Sequence, residues 1–385
     1  MQAIDFKNNI SGRIISTPQG YLAYVPNPLE PSLDFPLPLI YALSEADRAI
    51  SELAGIARTL PNPHLLIGSF VRKEAVLSSR IEGTQASFSD LLFFEAANLR
   101  EKEVPDVREV ANYVKALQYG IDRLGELPLS LRLLREIHAR LLDGVRGEER
   151  TPGEFRRSQN WIGPPGCTLM EATYVPPPVE EMKDALSAFE KYLHTPSKLP
   201  PLVRMALIHY QFEAIHPFLD GNGRIGRLLI TLLLCTERIL SQPLLYLSAF
   251  FERHRDDYYR LLLAVSQTGA WNEWISFFLR AVATQARDAI RRSDKLLGLW
   301  RNYRNKMQDV RASALLLQLI DDLFAYPAIT NSRASHKLSI THRSAQLNID
   351  KLVAAGILTE ATGQKRNRLY IAPEILSIIE EREER

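Results

Sequence analysis

Cysteine is almost missing from this chain: its 385 residues hold two, Cys167 and Cys235, far apart and in no CxxC spacing. That excludes a disulfide scaffold and a cysteine-based zinc site, and it suits a reducing compartment. Long apolar runs are missing too. The longest, around Leu228 to Cys235, falls well short of the roughly 20 residues a membrane helix needs, so it reads as a buried helix. The first residues, "MQAIDFKNNISGRI", carry no apolar core behind a basic start, so no signal peptide is read. No fixed-period repeat and no low-complexity segment is visible. Nor is there an excess of one charge, the formal net being +2, although that balance hides a local imbalance near the C-terminal end. What is there, 46% hydrophobic and 24% charged residues, describes an ordinary globular protein long enough for two or three cores. A cytoplasmic location is the expectation, with no membrane partner.

Residues 1 to about 40 are rich in proline, as in "YVPNPLEPSLDFPLPL", and read as an extended arm with a short strand at "GYLAYV". Helical periodicity begins at Ser44, where "SEADRAISELAGIARTL" offers a serine N-cap with Asp47 three residues on. Further helices are expected at 67–80, 90–98, 107–124 and 131–142. "TPGEFRRSQNWIGPPGCTLMEATYVPPP" then breaks the rhythm, and its "NWIG" and "ATYV" segments predict a hairpin or flap. Helices resume at 180–193, 202–215, 224–234, 256–265 and 271–304, the last long enough to connect to a further domain. From Ala312 the pattern is helix, short helix, a longer helix from Thr341 to Gly356, then strands "ILTEA" and "RLYIA" joined by "TGQKRN". That order describes a winged helix-turn-helix.

One stretch concentrates chemistry: "HPFLDGNGRIGR", His216 to Arg227, set between two apolar helical segments. Gly221 and Gly223 permit positive φ and close approach of a ligand to the backbone. They precede a helix, so amides and the helix dipole point at one spot, which is an anion hole. Arg224 and Arg227 add fixed charge matched to phosphate oxygens. Asp220 is a hard oxygen ligand suited to Mg²⁺ beside phosphate. His216 can take a proton near neutral pH. Taken singly, each feature has an ordinary explanation: a GxG tight turn, or arginines on a solvated face. Together they are the equipment of phosphoryl or nucleotidyl transfer. The loop is not a Walker A motif, having no GK[ST] and no preceding strand.

The same stretch resembles the HPFx[D/E]GNGRxxR signature of the Fic (filamentation induced by cAMP) family, at every defined position. The resemblance implies a mainly α fold, a Fic-type helical bundle with a small β-hairpin flap, followed here by the winged helix-turn-helix. It implies transfer of AMP from ATP to a hydroxyl side chain of a target protein, and of the chain itself. His216 would be the base and Asp220 the Mg²⁺ ligand. Gly221, Asn222 and Gly223 would line the anion hole, with Ile225 and Gly226 completing the nucleotide-binding run. Arg224 would serve ATP alone, and Arg227 would grip the distal phosphates. Doc-type kinases carry lysine where this chain has Gly223, so glycine favours nucleotidylation. "GEFRRSQNWIG" is similar to the family's strand entering the flap, with Asn160 where valine is common. "YVPPP" is similar to the flap end that aligns a target strand. Tyr258 and Tyr259 resemble the tyrosine pair bordering adenine and ribose, while Ser266 stands where some members place asparagine.

"SSRIEGT", 78–84, resembles the family's inhibitory motif [S/T]xxxE[G/N] through Ser78, Glu82 and Gly83. The implied brake is a glutamate that pairs with Arg227 and so misdirects ATP; the same glutamate could instead orient a water for AMP removal. The expected divisions are 1–105 for the arm and inhibitory helices, 106–290 for the catalytic domain, 291–311 for a connector and 312–385 for the winged helix. Between 331 and 371 the chain holds seven Lys and Arg (Arg333, Lys337, Arg343, Lys351, Lys365, Arg366, Arg368) against Asp350 and Glu360. Thr341, His342, Arg343 and Gln346 are expected to face a DNA groove, so the competing reading is a DNA-binding regulator whose Fic body senses nucleotide. A homodimer is a further expectation from the resemblance.

Overall fold

The computed structural model describes the chain except residues 7–9, 60–63, 98–104, 309–313, 365–367 and 382–385. The protein is mainly helical. A hairpin of β1 (Gly12–Ser16) and β2 (Leu22–Pro26) comes first, antiparallel, with Arg13 opposite Val25 and Ile15 opposite Ala23. Gly20, at φ +89°, makes the turn. The sequence suggested the second strand but not the first, because "GRIIS" sits among polar and proline-rich residues.

Helices α1 (Leu37–Thr59), α2 (His64–Ile81), α3 (Phe88–Ala97), α4 (Pro105–Arg123) and α5 (Leu131–Leu141) follow. The first begins a full two turns before Ser44, which is therefore no cap. Prolines 36 and 38 read as breakers, yet they flank a helix start, where the missing N–H costs nothing. Then come α6 (Val179–His194), α7 (Pro201–Ile215), α8 (Asn222–Thr236), α9 (Ser248–Arg253), α10 (Arg255–Thr268) and α11 (Trp271–Gln308). In α7, Leu202, Val203, Met205, Ala206, Leu207, Ile208, Tyr210 and Phe212 are all buried, so it is apolar all round, as a central helix must be. Helix α8 packs on it. The loop that joins these two buried helices is thereby held on both sides. Helix α11 packs along α1 and runs unbroken past residue 290, where a boundary was expected.

The C-terminal segment comprises α12 (Ala314–Ala325), β3 (Ala328–Thr330), α13 (Asn331–Leu338), α14 (His342–Ala354), β4 (Thr359–Glu360), β5 (Leu369–Ile371) and α15 (Pro373–Glu380). Its strands form an antiparallel sheet in the order β3-β5-β4. Thr341 caps α14 by accepting from Ser344 N, and Gly356 follows at φ +72°. Of the residues expected to face a groove, Gln346 does not, and two of the basic residues counted there are paired within the segment. Arg333 and Lys337 lie 3.6 and 3.1 Å from the Asp322 carboxylate. Gln346 turns inward, donating to Asp350 Oδ1 (2.8 Å) and the Tyr370 hydroxyl (3.0 Å). Lys365 and Arg366 lie outside the described residues.

Candidate active site at the start of α8

His216 ends α7 in the left-handed region, φ +49°, a conformation a non-glycine residue adopts at a cost of ~1–3 kcal/mol unless its surroundings enforce it. Here they do. Buried Arg156 donates from Nε to the His216 carbonyl (3.0 Å), and its own amide donates to Pro217 O (2.9 Å). Asn160 Nδ2 donates to His216 O (3.2 Å) and Phe218 O (2.7 Å). Asn222 closes the loop from inside: its Oδ1 accepts from Phe218 N and its Nδ2 donates to Phe218 O, both 2.8 Å. The Asn222 side chain therefore shapes the loop and does not line the anion hole.

His216 Nδ1 lies 3.3 Å from the Glu213 carbonyl. A carbonyl can only accept, so Nδ1 carries the proton and Nε2 keeps its lone pair. Burial, then the charge of Arg156, lowers the imidazole to about 4 against partial offsets from Glu213, Glu82 and Asp220. The ring is neutral at neutral pH and can act as a base.

Gly221 forms the N-cap of α8 at φ +78°. The helix supplies no acceptor to the amides of its first turn, so those of Asn222, Gly223 and Arg224 are presented to an anion. A side chain on Gly223 would overlap Glu82 Oε1 and crowd Arg227 Nη1, so glycine keeps this space open. Two of the expected binding positions face inward instead. Ile225 is fully buried in the core, and Gly226 is pressed against Glu213 and His209.

Arg227 and the upstream motif meet as the sequence suggested. Its Nε donates to Ser78 Oγ (2.9 Å), and Nη2 donates to Ser78 O (2.9 Å) and Glu82 Oε1 (2.7 Å). Gly83 ends the segment at φ +97°. Burial opposes ionisation of Glu82, but Arg227, then Arg224 and His216, hold it below the usual carboxylate range. Arg227 Nη1 is buried with no hydrogen-bond partner among the described residues. Arg224, expected to serve ATP alone, is 1% exposed and lies 3.4 Å from both Glu109 Oε2 and Asp220 Oδ1. Asp220 Oδ1 also accepts from Gly221 N (2.6 Å), and the carboxylate stands at the mouth of the cradle, 36% exposed.

The tyrosines separate. Tyr258 is a core residue: His209 Nδ1 must donate to Gly226 O (3.0 Å), so His209 Nε2 accepts from the Tyr258 hydroxyl (2.8 Å). Tyr259 is 42% exposed beside it. Ser266 is buried and bonded to the Tyr210 hydroxyl (2.9 Å). The flap expected as paired strands at 160–163 and 172–175 is a single bridge, Ile162 to Tyr174. Pro164 and Pro165 lack the N–H a longer ladder needs. On its other edge Val175 O accepts from Tyr24 N of β2 (2.9 Å), so the N-terminal hairpin braces the flap. Cys167 and Cys235 are free.

Four residues here escaped the sequence reading: Glu109, His138, His209 and Glu213. The histidines and Glu213 sit on helical faces that look like core, and Glu109 pairs with an arginine 115 residues away. The EAIHPF run gives Glu213 its only sequence signal, adjacency to His216.

Fold and site define a class: a helical protein with open amides at the N-terminus of a buried helix, where a glutamate just past an upstream helix meets Arg227. Residues 40–122 match the Fic/DOC family N-terminal region and residues 128–234 match the Fic/DOC family, so the chain carries both of these regions. It is 34% identical to the protein adenylyltransferase Fic of Drosophila virilis over 136 residues, covering 34% of this chain and 26% of the relative. The protein of the same name from Drosophila melanogaster is 32% identical, with 34% and 25% covered. The chain thus spans about a quarter of the length of the curated relatives it matches. Two solved structures share the fold. A Fic family protein from Desulfovibrio desulfuricans G20 gives a TM-score of 0.57 at 19% identity, over 89% of this chain and 98% of that one. Fic-1 of C. elegans gives 0.52 at 21%, over 69% and 75%.

Proposed function

We propose that this protein transfers AMP from ATP to a side-chain hydroxyl of a target protein, and that Glu82 restrains it. The observation that carries the reading is the shared cradle: a neutral His216 and the open amides of α8 stand at one opening, with Arg227 held there by Glu82. The name protein adenylyltransferase, borne by the Drosophila relatives, supports it. In the reaction the target oxygen attacks the α-phosphorus, and the bond to the α–β bridging oxygen breaks. Pyrophosphate leaves, and the hydroxyl proton passes to His216 Nε2. The α8 amides at Gly223 and Arg224 stabilise the charge gathering on the phosphate oxygens.

The donor set fits Mg²⁺ in one way. Among the described residues no group of three or more His, Cys, Asp or Glu could hold a metal unaided, but Mg²⁺ needs only one or two carboxylates plus substrate phosphates. Asp220 would hold it, and the ion would supply charge neutralisation on the phosphates. Glu82 occupies the Arg227 Nη2 donor and offsets its charge, so the distal phosphates of ATP meet an incomplete grip while the brake is on. The test is label transfer from ATP with Glu82→Gly, described at the close of the Discussion.

The C-terminal segment supports a second, compatible role. Its helix–strand–helix–helix order with two further strands fits a winged helix-turn-helix, and exposed Arg343 and Lys351 on α14 fit phosphate contact. Free cysteines fit a cytoplasmic setting.

A further inference from the structure

His138, on α5, is fully buried and belongs to no assigned site. Its ring stacks on Phe218 of the catalytic loop, centroids 3.8 Å apart and 7° from parallel. Gly153 N lies 2.8 Å from Nδ1. An amide can only donate, so Nδ1 is the acceptor and a neutral ring carries its proton on Nε2. That nitrogen lies 3.0 Å from the Asp220 carbonyl, which can only accept. Both ring nitrogens are thus spoken for by backbone, on two loops that sequence places far apart.

The Asp220 carbonyl belongs to the peptide group that leads into Gly221, the N-cap of α8. Rotating that peptide would swing the Gly221 backbone and the Asp220 carboxylate together. Gly221 itself is close: a Cβ there would lie 3.4 Å from His138 Nε2. On the other side, Gly153 (φ +82°) opens the turn that delivers Arg156 to the His216 carbonyl.

We propose that His138 is a positioning residue for the phosphate cradle, fixing the Asp220–Gly221 peptide through its Nε2–H so that the α8 amides and Asp220 face the nucleotide. This rests on the reading of the cradle as a nucleotide site.

Two substitutions separate the two bonds. In His138→Gln the amide nitrogen can reach the place of Nε2 and donate to Asp220 O. In His138→Asn the amide oxygen can take the place of Nδ1 and accept from Gly153 N. Both are made in the Glu82→Gly chain, and ATP affinity is measured by calorimetry beside thermal unfolding and the KM and turnover for ATP. The Gln variant should stay within about threefold of its parent in ATP affinity, and the Asn variant should lose about tenfold, the worth of roughly one hydrogen bond. Both should lose similar thermal stability. Equal losses in ATP affinity, or Asn binding better than Gln, would overturn the proposal. If neither variant folds, ¹⁵N spectra of the unaltered chain still decide: His138 must show the Nε2-protonated ring, and an Nδ1-protonated ring contradicts the assignment. A Glu82→Gly chain that binds ATP through these determinants yet transfers no AMP would sink the proposed reaction and leave the role of His138 standing.

Discussion

Gly226 shows how the catalytic helix is fitted residue by residue. It lies within α8, where glycine is ~1 kcal/mol worse than alanine, and a Cβ there would overlap Glu213 Oε1. Glu213 is half-buried, its buried Oε1 has no partner among the described residues, and desolvation raises its carboxyl to about 8. Overpacking costs ~1–3 kcal/mol, so Gly226→Ala should destabilise the chain in urea unfolding. In a Glu213→Ala background the same change should become neutral or stabilising, because only the His209 contact at 3.3 Å then opposes the propensity gain. An unchanged sign in both backgrounds would contradict the fit. That His216, Asp220, Gly221, Gly223, Arg227 and Glu82 gather at one place was legible in the sequence, because motif spacing and spatial proximity coincide in one loop and one helix end. Asn222, Arg224, Ile225, Gly226 and Tyr258 read less well. Their side chains answer to packing partners such as Phe218, Glu109 and His209, which come from other helices and leave no local trace.

Among the elements, α2 would carry the proposed restraint, and it is held at both ends. Its last turn and the residue beyond deliver Ser78 and Glu82 to Arg227. Its first half is locked to α12: Ser69 Oγ donates to Phe324 O (2.7 Å), and Gly68 packs so closely on Ala325 that a Cβ would stand 2.7 Å from its carbonyl oxygen. Arg72 lies 4.0 Å from the centre of the Tyr326 ring, and Arg333 of α13 lies 3.8 Å from it. A rod anchored to the C-terminal segment would position the proposed brake, so Tyr326→Ala should raise AMP incorporation severalfold. It should add nothing in a Glu82→Gly chain, where no brake is left. A comparable rise in both backgrounds would show that Tyr326 acts elsewhere. The existence of α2 was clear from its periodicity, and its anchorage was not, since Ser69 and Arg72 read as ordinary helix residues. The flap failed differently: alternation predicted strands, and two prolines limited them to one bridge.

For the whole molecule, fold class was legible because long helices carry their own periodic signal, whereas β1, β3 and α9 are short and depend on tertiary partners. Burial also sets a stability profile. His138 and His216 are held near about 4 and His209 near about 3, each by desolvation first. The unfolded chain binds protons at these rings that the fold refuses, so stability falls as pH drops below ~6.5. Burial holds Glu213 at about 8 and raises Glu74. These carboxyls act oppositely: their stability is present at low pH, and that of Glu213 is lost as pH rises through about 8. Three imidazoles outweigh the two carboxyls on the acid side, so stability falls there as pH drops. The melting temperature should therefore peak near about pH 6.5 and decline on both sides; a steady rise to alkaline pH would contradict the burial assignments. The central claim has a direct test. The chain, its Glu82→Gly form and the Glu82→Gly/His216→Ala form are incubated with Mg²⁺, a host extract and ATP labelled at either the α- or the γ-phosphate. The account predicts protein-bound α-label with Glu82→Gly, much less with the unaltered chain, none with the double variant, and no γ-label. Glu82→Gly protein that binds ATP yet leaves no α-label on any protein, or that transfers γ-label instead, would contradict it.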